Sequence, residues 1–475
     1  MNRPIRRVAM LAALMMAALL LNVSWLEVGR ATPLNNDPRN RRVADEEFAR
    51  NRGAILVGTD AVALSKPSSG RFKYTRHYSQ PQLYATATGY YSYDFGKAGI
   101  ELNHNKRLAG TSADQALART IDALTGKAPA GSSVQTTLNA KAQRAAWDAM
   151  AGRKGAVVAL DTHTGAVLTY LSLPTYDPNE LATTDLKQAQ KNWSALLADK
   201  NKPLLNRASK EVYPPGSTFK LVTAAAALEN GFSTETLFDA PKHLKLPQTN
   251  TWLGNETDCG GDRITIEQAL TVSCNTAFAN IGMRVGAEKL KEQAEKFGFN
   301  QNFETDVPLV SSRFPQDLNP PQTAQSSIGQ FEVAATPLQM AMVAAAIAND
   351  GQVMQPFIVK EVRGADLRVQ STHRPQKLHR AMGKDNARAL QEMMVKTVEE
   401  GTGTAARVPD VRVGGKTGTA QSDPNRPPYA WFVAFSENPD VAVAVFIEES
   451  DVERNDIAGG RLAGPVAKAV IEALR

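Results

Sequence analysis

Residues 212–231 read VYPPGSTFKLVTAAAALENG, and this stretch constrains the fold more than any other. Pro214 and Pro215 bar a helix, Gly216 permits a sharp bend, and a run of helix formers begins directly behind them. The predicted helix over 218–229 is apolar on nearly every face, through Phe219, Leu221, Val222, Ala224 to Ala227 and Leu228, so it belongs inside a core. Ser217 falls at or next to its first residue, with Lys220 one turn further along the same face. A lysine on a buried helix is costly unless it has a partner or a task. The chain must bury this helix and still aim the serine at its start.

The material for such a core is present. The chain has 475 residues, 43% hydrophobic and 21% charged, enough for two or three globular domains. Part of the net charge of +6 is Arg3, Arg6 and Arg7 at the extreme N-terminus. No basic stretch interleaved with aromatics follows, so nucleic-acid binding has no support. From Val8 to Leu26 runs an apolar segment of about 19 residues, long enough to span a bilayer. It reads as a membrane anchor rather than a cleaved signal peptide, whose apolar core is shorter and ends at a small-residue cleavage site. The arginines on the short flank place residues 1–7 in the cytoplasm and the bulk of the chain outside it.

Cys259 and Cys274 are the two cysteines. They are either two buried thiols or, in an oxidising compartment, a disulfide closing a short loop, and the latter is favoured outside the cytoplasm. The six histidines show no zinc-ligand spacing, so neither metal nor cofactor is expected.

Residues 27–145 mix Gly, Ser and Asn breaks with short apolar runs (AILVGT, LYATAT) that read as strands, giving a mostly β membrane-proximal domain. Residues 155–179 predict two strands around a tight turn at Thr162–Gly165. Helices are then expected at 218–229, 264–272, 276–297 with a break near Gly286, 337–349 and 384–400. Thr336, Pro337 and Gly351 supply start and stop signals for the fourth of these. Strand patterns return in VRVGGKTGTA, YAWFVAFS and VAVAVFIEE, and a last helix ends the chain. Strands at both ends with helices between them predict one α/β domain whose sheet is completed from the C-terminal side.

Three short motifs stand in order within it: Ser217-Thr218-Phe219-Lys220, Ser273-Cys274-Asn275 and Lys416-Thr417-Gly418. Each is weak alone, and Ser436-Glu437-Asn438 mimics the second in the wrong order. Their contexts strengthen the set, since Ser217 opens a buried helix, Ser273 and Asn275 lie at a break between helices, and Lys416 lies in a strand. A serine hydroxyl needs an adjacent base to act as a nucleophile. A lysine serves only when burial or a second cation lowers its pKa, and Lys416 would be that cation.

With these motifs, and with NRASKEVYPPGSTFK, SSIGQFEVAATPLQMA and EEGTGTAA around them, the region from about 150 to 475 resembles the transpeptidase domain of penicillin-binding proteins. The layout resembles class B, and within it the actinobacterial A type, to which NNDPRNRR, RNRGAIL and TATGYYS also point. The resemblance implies the penicillin-recognising fold, an antiparallel sheet flanked by helices plus an all-helical subdomain. It implies a D,D-transpeptidase in which Ser217 attacks the D-Ala-D-Ala carbonyl of a peptidoglycan stem peptide and Lys220 takes its proton. Ser273 would relay that proton, Asn275 would orient Lys220 and the peptide, and Lys416, Thr417 and Thr419 would bind the terminal carboxylate, with Gly418 allowing close approach. The backbone N–H groups of Ser217 and Thr419 would form an oxyanion hole. β-Lactams would acylate the same serine. A membrane glycosyltransferase is the partner that class B implies for the first domain.

Rival readings are a D,D-carboxypeptidase, a β-lactamase, a β-lactam sensor and a non-catalytic scaffold. No Glu-x-x-x-Asn lies between 275 and 416 to activate a deacylating water. A sensor needs more than one membrane segment. A scaffold has no need of an intact motif set.

Overall fold

The computed structural model describes residues 3–30, 34, 41–69, 72–112, 115, 130–421, 426–449 and 459–475. Most of NNDPRNRR lies outside them. The helix Arg3–Ser24 continues as a wider turn to Gly29, its apolar side chains all exposed. It is the one helix among the described residues long and apolar enough to cross a membrane.

The chain from Lys154 onward is organised by a five-stranded antiparallel sheet. Its order is Arg412–Ala420, Tyr429–Glu437, Val441–Glu449, Lys154–Asp161 and Val167–Leu173. The inner strands are buried on both faces, which is why their sequences are continuous apolar runs rather than alternating ones. Alternate side chains serve two different cores. Trp431, Val433, Phe435, Ala444 and Phe446 join the core around helices Lys220–Glu229 and Pro337–Ala348. Phe432, Ala434, Val443 and Val445 face the other way, onto Ala142, Ala146, Val466 and Val470 of helices Ala140–Met150 and Gly464–Leu474. The helix Pro337–Ala348 starts as its sequence predicts, with the Thr336 hydroxyl accepting from the Gln339 N–H at 3.0 Å.

A second sheet has six strands. Four come from the first part of the chain: Ile55–Val57, Asp60–Pro67, Tyr74–Tyr78 and Ser133–Thr136. The other two, Val359–Arg363 and Val369–Thr372, come from far downstream, with Val362 paired to Val134. Buried Glu101 sits under this sheet and accepts from Arg52 Nε at 2.5 Å and Arg76 Nε at 2.6 Å. Burial alone would raise its pKa, but the two guanidinium groups hold it below the usual range.

Two expectations fail locally. Residues 83–88 lie in a helix, Pro81–Thr88, not a strand. Pro81 occupies its first turn and Gly89 follows its end with φ +69°, a start and stop pair that outweighs the β-like alternation of LYATAT. The segment 264–272 splits into a short strand, Arg263–Thr265, and a helix, Ile266–Thr271, because Thr265 caps the helix with its hydroxyl.

Candidate active site

The three motifs, far apart in sequence, converge on one edge of the five-stranded sheet. The Pro-Pro-Gly segment is held first. Tyr213 exchanges backbone hydrogen bonds with Ala335 at 2.9 and 2.8 Å, and Gly216 N–H donates to Gly329 O at 3.1 Å. Upstream, buried Arg207 binds Glu448 through Nε at 2.6 Å, which fastens the same strap to the sheet. Gly216 then turns with φ +52°, a left-handed conformation that favours glycine. It is also packed tight, since a Cβ there would lie 2.9 Å from Thr419 O and from Ala420 Cβ. Ser217 follows in a single 3₁₀ turn, Gly216–Phe219, and the α-helix proper begins at Lys220. Ser217 is half-buried, while Thr218, Phe219 and Lys220 are buried.

The turn rests against the edge strand that carries the third motif. A Cβ on Gly418 would come within 2.9 Å of Thr218 Cγ2 and 3.1 Å of Pro215 O. Lys416 and Thr417 are buried, and Thr419 keeps partial exposure beside Ser217's turn. Among the described residues no strand pairs with it on this side, since it is the outer one of its sheet. An extended peptide can add to such an edge by main-chain hydrogen bonds.

The second motif lies between helices Ile266–Thr271 and Asn275–Val285. Ser273 bridges them with φ +61°, a strained position for a residue with a Cβ. This orientation brings the motif onto the lysine. Lys220 Nζ lies 2.8 Å from Ser273 O, 3.2 Å from Ser273 Oγ and 2.7 Å from Asn275 Oδ1. Asn275 donates its amide N–H to Gly254 O at 3.1 Å, so its oxygen is the atom turned to Lys220. The Phe278 ring stands 5.6 Å from the same ammonium.

Burial, and then the Lys416 cation, push Lys220 well below the ordinary lysine pKa, with Glu256 pulling weakly the other way. Lys416 is brought down to about 7, again by burial, against the same glutamate. Both lysines are thus held below the ordinary lysine value, and the Lys416 charge is one of the forces that lowers Lys220. The three acceptors around Nζ suit an ammonium. Once the amine is neutral, the Ser273 hydroxyl is the one member of that set able to reverse and donate. Such an arrangement can hold a proton, hand it on and take it back.

All the residues expected from sequence are thus brought together: Ser217, Lys220, Ser273, Asn275, Lys416, Thr417, Gly418 and Thr419. Cys259 and Cys274 are bonded, S–S 2.10 Å, with Cα atoms 5.3 Å apart. Sequence reasoning missed Gly254, Glu256 and Thr402, whose hydroxyl lies 2.7 Å from that of Thr417. Thr402 sits in the EEGTGTAA stretch, which was a signal of importance without a role. Glu256 carries no local signal.

Comparison with known proteins places the chain in a family. Residues 155–472 match the penicillin binding protein transpeptidase domain, and residues 52–134 match the penicillin binding protein A dimerisation domain. The chain is 40% identical to the peptidoglycan D,D-transpeptidase PbpA of Mycolicibacterium smegmatis, over 100% of this chain and 99% of the relative. It is 39% identical to PbpA of Mycobacterium tuberculosis with the same coverage. Among solved structures, the ceftriaxone acyl-enzyme complex of penicillin-binding protein A from M. tuberculosis superposes with a TM-score of 0.87 at 37% identity, covering 90% of this chain and 99% of that one. The penicillin G acyl-enzyme complex of the same protein gives 0.85 at 38% identity, covering 89% and 99%. On the strength of its full-length match and its assembled motifs, the chain belongs to the penicillin-binding protein transpeptidase family, class B.

Proposed function

We propose that this chain is a membrane-anchored peptidoglycan D,D-transpeptidase working through Ser217. The observation that carries the reading is a buried, proton-poor lysine one turn behind a half-buried serine, with Lys220 Nζ 2.7 Å from Asn275 and 3.2 Å from the Ser273 hydroxyl. Ser217 Oγ bonds to the D-Ala-D-Ala carbonyl carbon while its proton passes to Lys220. The tetrahedral oxyanion is held by the backbone N–H groups of Ser217 and Thr419. The C–N bond then breaks, and the leaving D-alanine takes the proton through Ser273. An amine of a neighbouring stem attacks the acyl-enzyme, forms the cross-link and returns the proton to Ser217. Asn275 orients Lys220, while Lys416, Thr417 and Thr419 bind the terminal carboxylate and Gly418 lets the peptide approach the strand.

β-Lactams acylate the same serine. Residues 150–475 form the catalytic domain outside the cytoplasm. Residues 27–145 form the membrane-proximal part, completed by the hairpin at 359–372, and present the surface for a membrane glycosyltransferase. Residues 8–26 form the anchor and 1–7 the cytoplasmic tail.

Intact-mass analysis of the detergent-solubilised full chain with penicillin tests this. A lasting adduct on Ser217, absent from Ser217→Ala, is expected. Turnover without an adduct would indicate a hydrolase, and neither adduct nor turnover would leave a scaffold.

A further inference from the structure

Glu256 lies on the loop between the strand Trp252–Gly254 and the strand Arg263–Thr265. Its two neighbours are tied to either flank of the second motif. Asn255 Oδ1 accepts from Thr276 N–H at 3.0 Å, and its Nδ2 donates to Thr276 Oγ1 at 3.0 Å. The Thr257 hydroxyl donates to Val272 O at 2.6 Å. Two residues before Glu256, Gly254 O accepts the Asn275 amide, and three residues after it Cys259 is bonded to Cys274. The backbone of Glu256 is therefore fixed across Ser273 and Asn275 by ties on both sides.

The Glu256 carboxylate makes no hydrogen bond or ion pair with the described residues. Its charge nevertheless acts on both buried lysines, and theirs on it. Much of its surface reaches solvent, while surrounding protein still raises its pKa above the usual carboxylate value, against the pull of Lys220 and Lys416. Both properties fit a side chain standing at the rim of a cleft. Other charged groups lie nearby. Lys242 and His243 of the opposite hairpin and Asp258 and Asp262 of the same loop line an adjoining cavity of about 400 Å³. Lys416 and Glu256 are the charges that bear on Lys220.

We infer that Glu256 is a positioning residue for the acylation reaction, the counter-charge that the bridged loop holds over the Lys220–Lys416 pair. Two ammonium groups in one dry site repel, and each proton lost from the pair alters catalysis differently. A fixed carboxylate at the rim raises the proton affinity of both lysines together. It keeps Lys416 charged for the substrate carboxylate to a higher pH than burial alone would allow. Among the described residues, Glu256 is the carboxylate that bears on both lysines.

The inference rests on the transpeptidase reading, and one experiment separates their failures. The rate of Ser217 acylation by penicillin would be followed against pH for the full chain and for Glu256→Gln, Glu256→Ala and Glu256→Asp. Removing the carboxylate lowers the pKa of both lysines, so both limbs of the profile are expected to move to lower pH, by about half a unit or more. Glu256→Ala should reproduce the shift of Glu256→Gln, and Glu256→Asp should stay near the parent. An unmoved profile in Glu256→Gln and Glu256→Ala, or a uniform loss of rate without displacement, would overturn the inference. Absence of a Ser217 adduct in the parent protein would overturn the transpeptidase reading instead.

Discussion

Lys220 Nζ and Asn275 Oδ1 lie 2.7 Å apart, and the Asn275 amide is turned by its own bond to Gly254 O. The helix that carries Lys220 is thus referenced to the all-helical side of the site, while Ser217's turn is referenced to the sheet through Gly216 and Gly418. Ser217 and Lys220 belong to consecutive turns, yet each is held by a different wall. A change in either wall will alter their relation without touching either residue.

Acylation by penicillin should follow a bell-shaped pH profile. The rate rises as pH climbs through the lowered pKa of Lys220, because only the neutral amine accepts the serine proton. It falls where Lys416 loses its proton, near about 7, because the carboxylate of the ligand then meets a neutral amine. The two apparent values belong to the coupled pair. Lys220→Met should slow acylation by about 10²–10⁴-fold, with the melting temperature unchanged or higher since a buried charge is gone. Stopped-flow acylation and thermal melts decide it; a Lys220→Met rate within threefold of the parent would remove Lys220 from the role of base.

The Cys259–Cys274 bridge closes a loop with a sequence separation of 15. In the chain-entropy model that contributes about 3 kcal/mol. A double replacement, Cys259→Ser with Cys274→Ser, should lower the unfolding free energy by about 2–3 kcal/mol and slow acylation about tenfold, since Ser273 sits next to Cys274. Denaturant midpoints and acylation rates of the pair would be compared. Unchanged acylation would mean that the hydrogen bonds of Asn255 and Thr257 hold the loop unaided.

Gly459 packs its Cα onto the strands Arg412–Ala420 and Tyr429–Glu437 so closely that an added Cβ would lie 2.2 Å from Trp431 O and 2.4 Å from Gly418 O. Both are backbone atoms and neither can swing aside. Gly459→Ala should destabilise by about 1–3 kcal/mol and displace the strand proposed to bind substrate, reducing acylation as well. Gly464→Ala, where the nearest atom would be Ala405 Cβ at 3.5 Å, is the control and should stay within about 0.5 kcal/mol. Equal effects in the two variants would refute the packing argument.

Much of this was legible beforehand, for identifiable reasons. The strands Tyr429–Glu437 and Val441–Glu449 announce themselves because both their faces are buried, and the helix Pro337–Ala348 because Thr336 and Pro337 mark its start. Ser217 and Lys220 are readable because a proline-glycine break and a buried lysine both violate ordinary helix economy. Leu83–Thr88 misled because its alternation is strand-like while the decisive signals, Pro81 and Gly89, lie outside it. Glu256 was invisible because what ties it to the site is the bonding of its neighbours Asn255 and Thr257, which leaves no periodicity or spacing behind. The pairing of Val362 with Val134 was hidden for a related reason: partner strands are chosen in space, and neither strand records the other's address.

That pairing has a consequence for how the chain is made. Ser133–Thr136 has Val359–Arg363 as its neighbour on one side, with 222 residues between Thr136 and Val359. At a synthesis rate of about 5–20 residues per second, the earlier strand waits roughly 10–45 seconds with one hydrogen-bonding edge bare. During that interval the nascent first module is an unfinished surface open to chaperones or to other chains. Its completion reports that translation has passed all the way through the nucleophile and the disulfide loop.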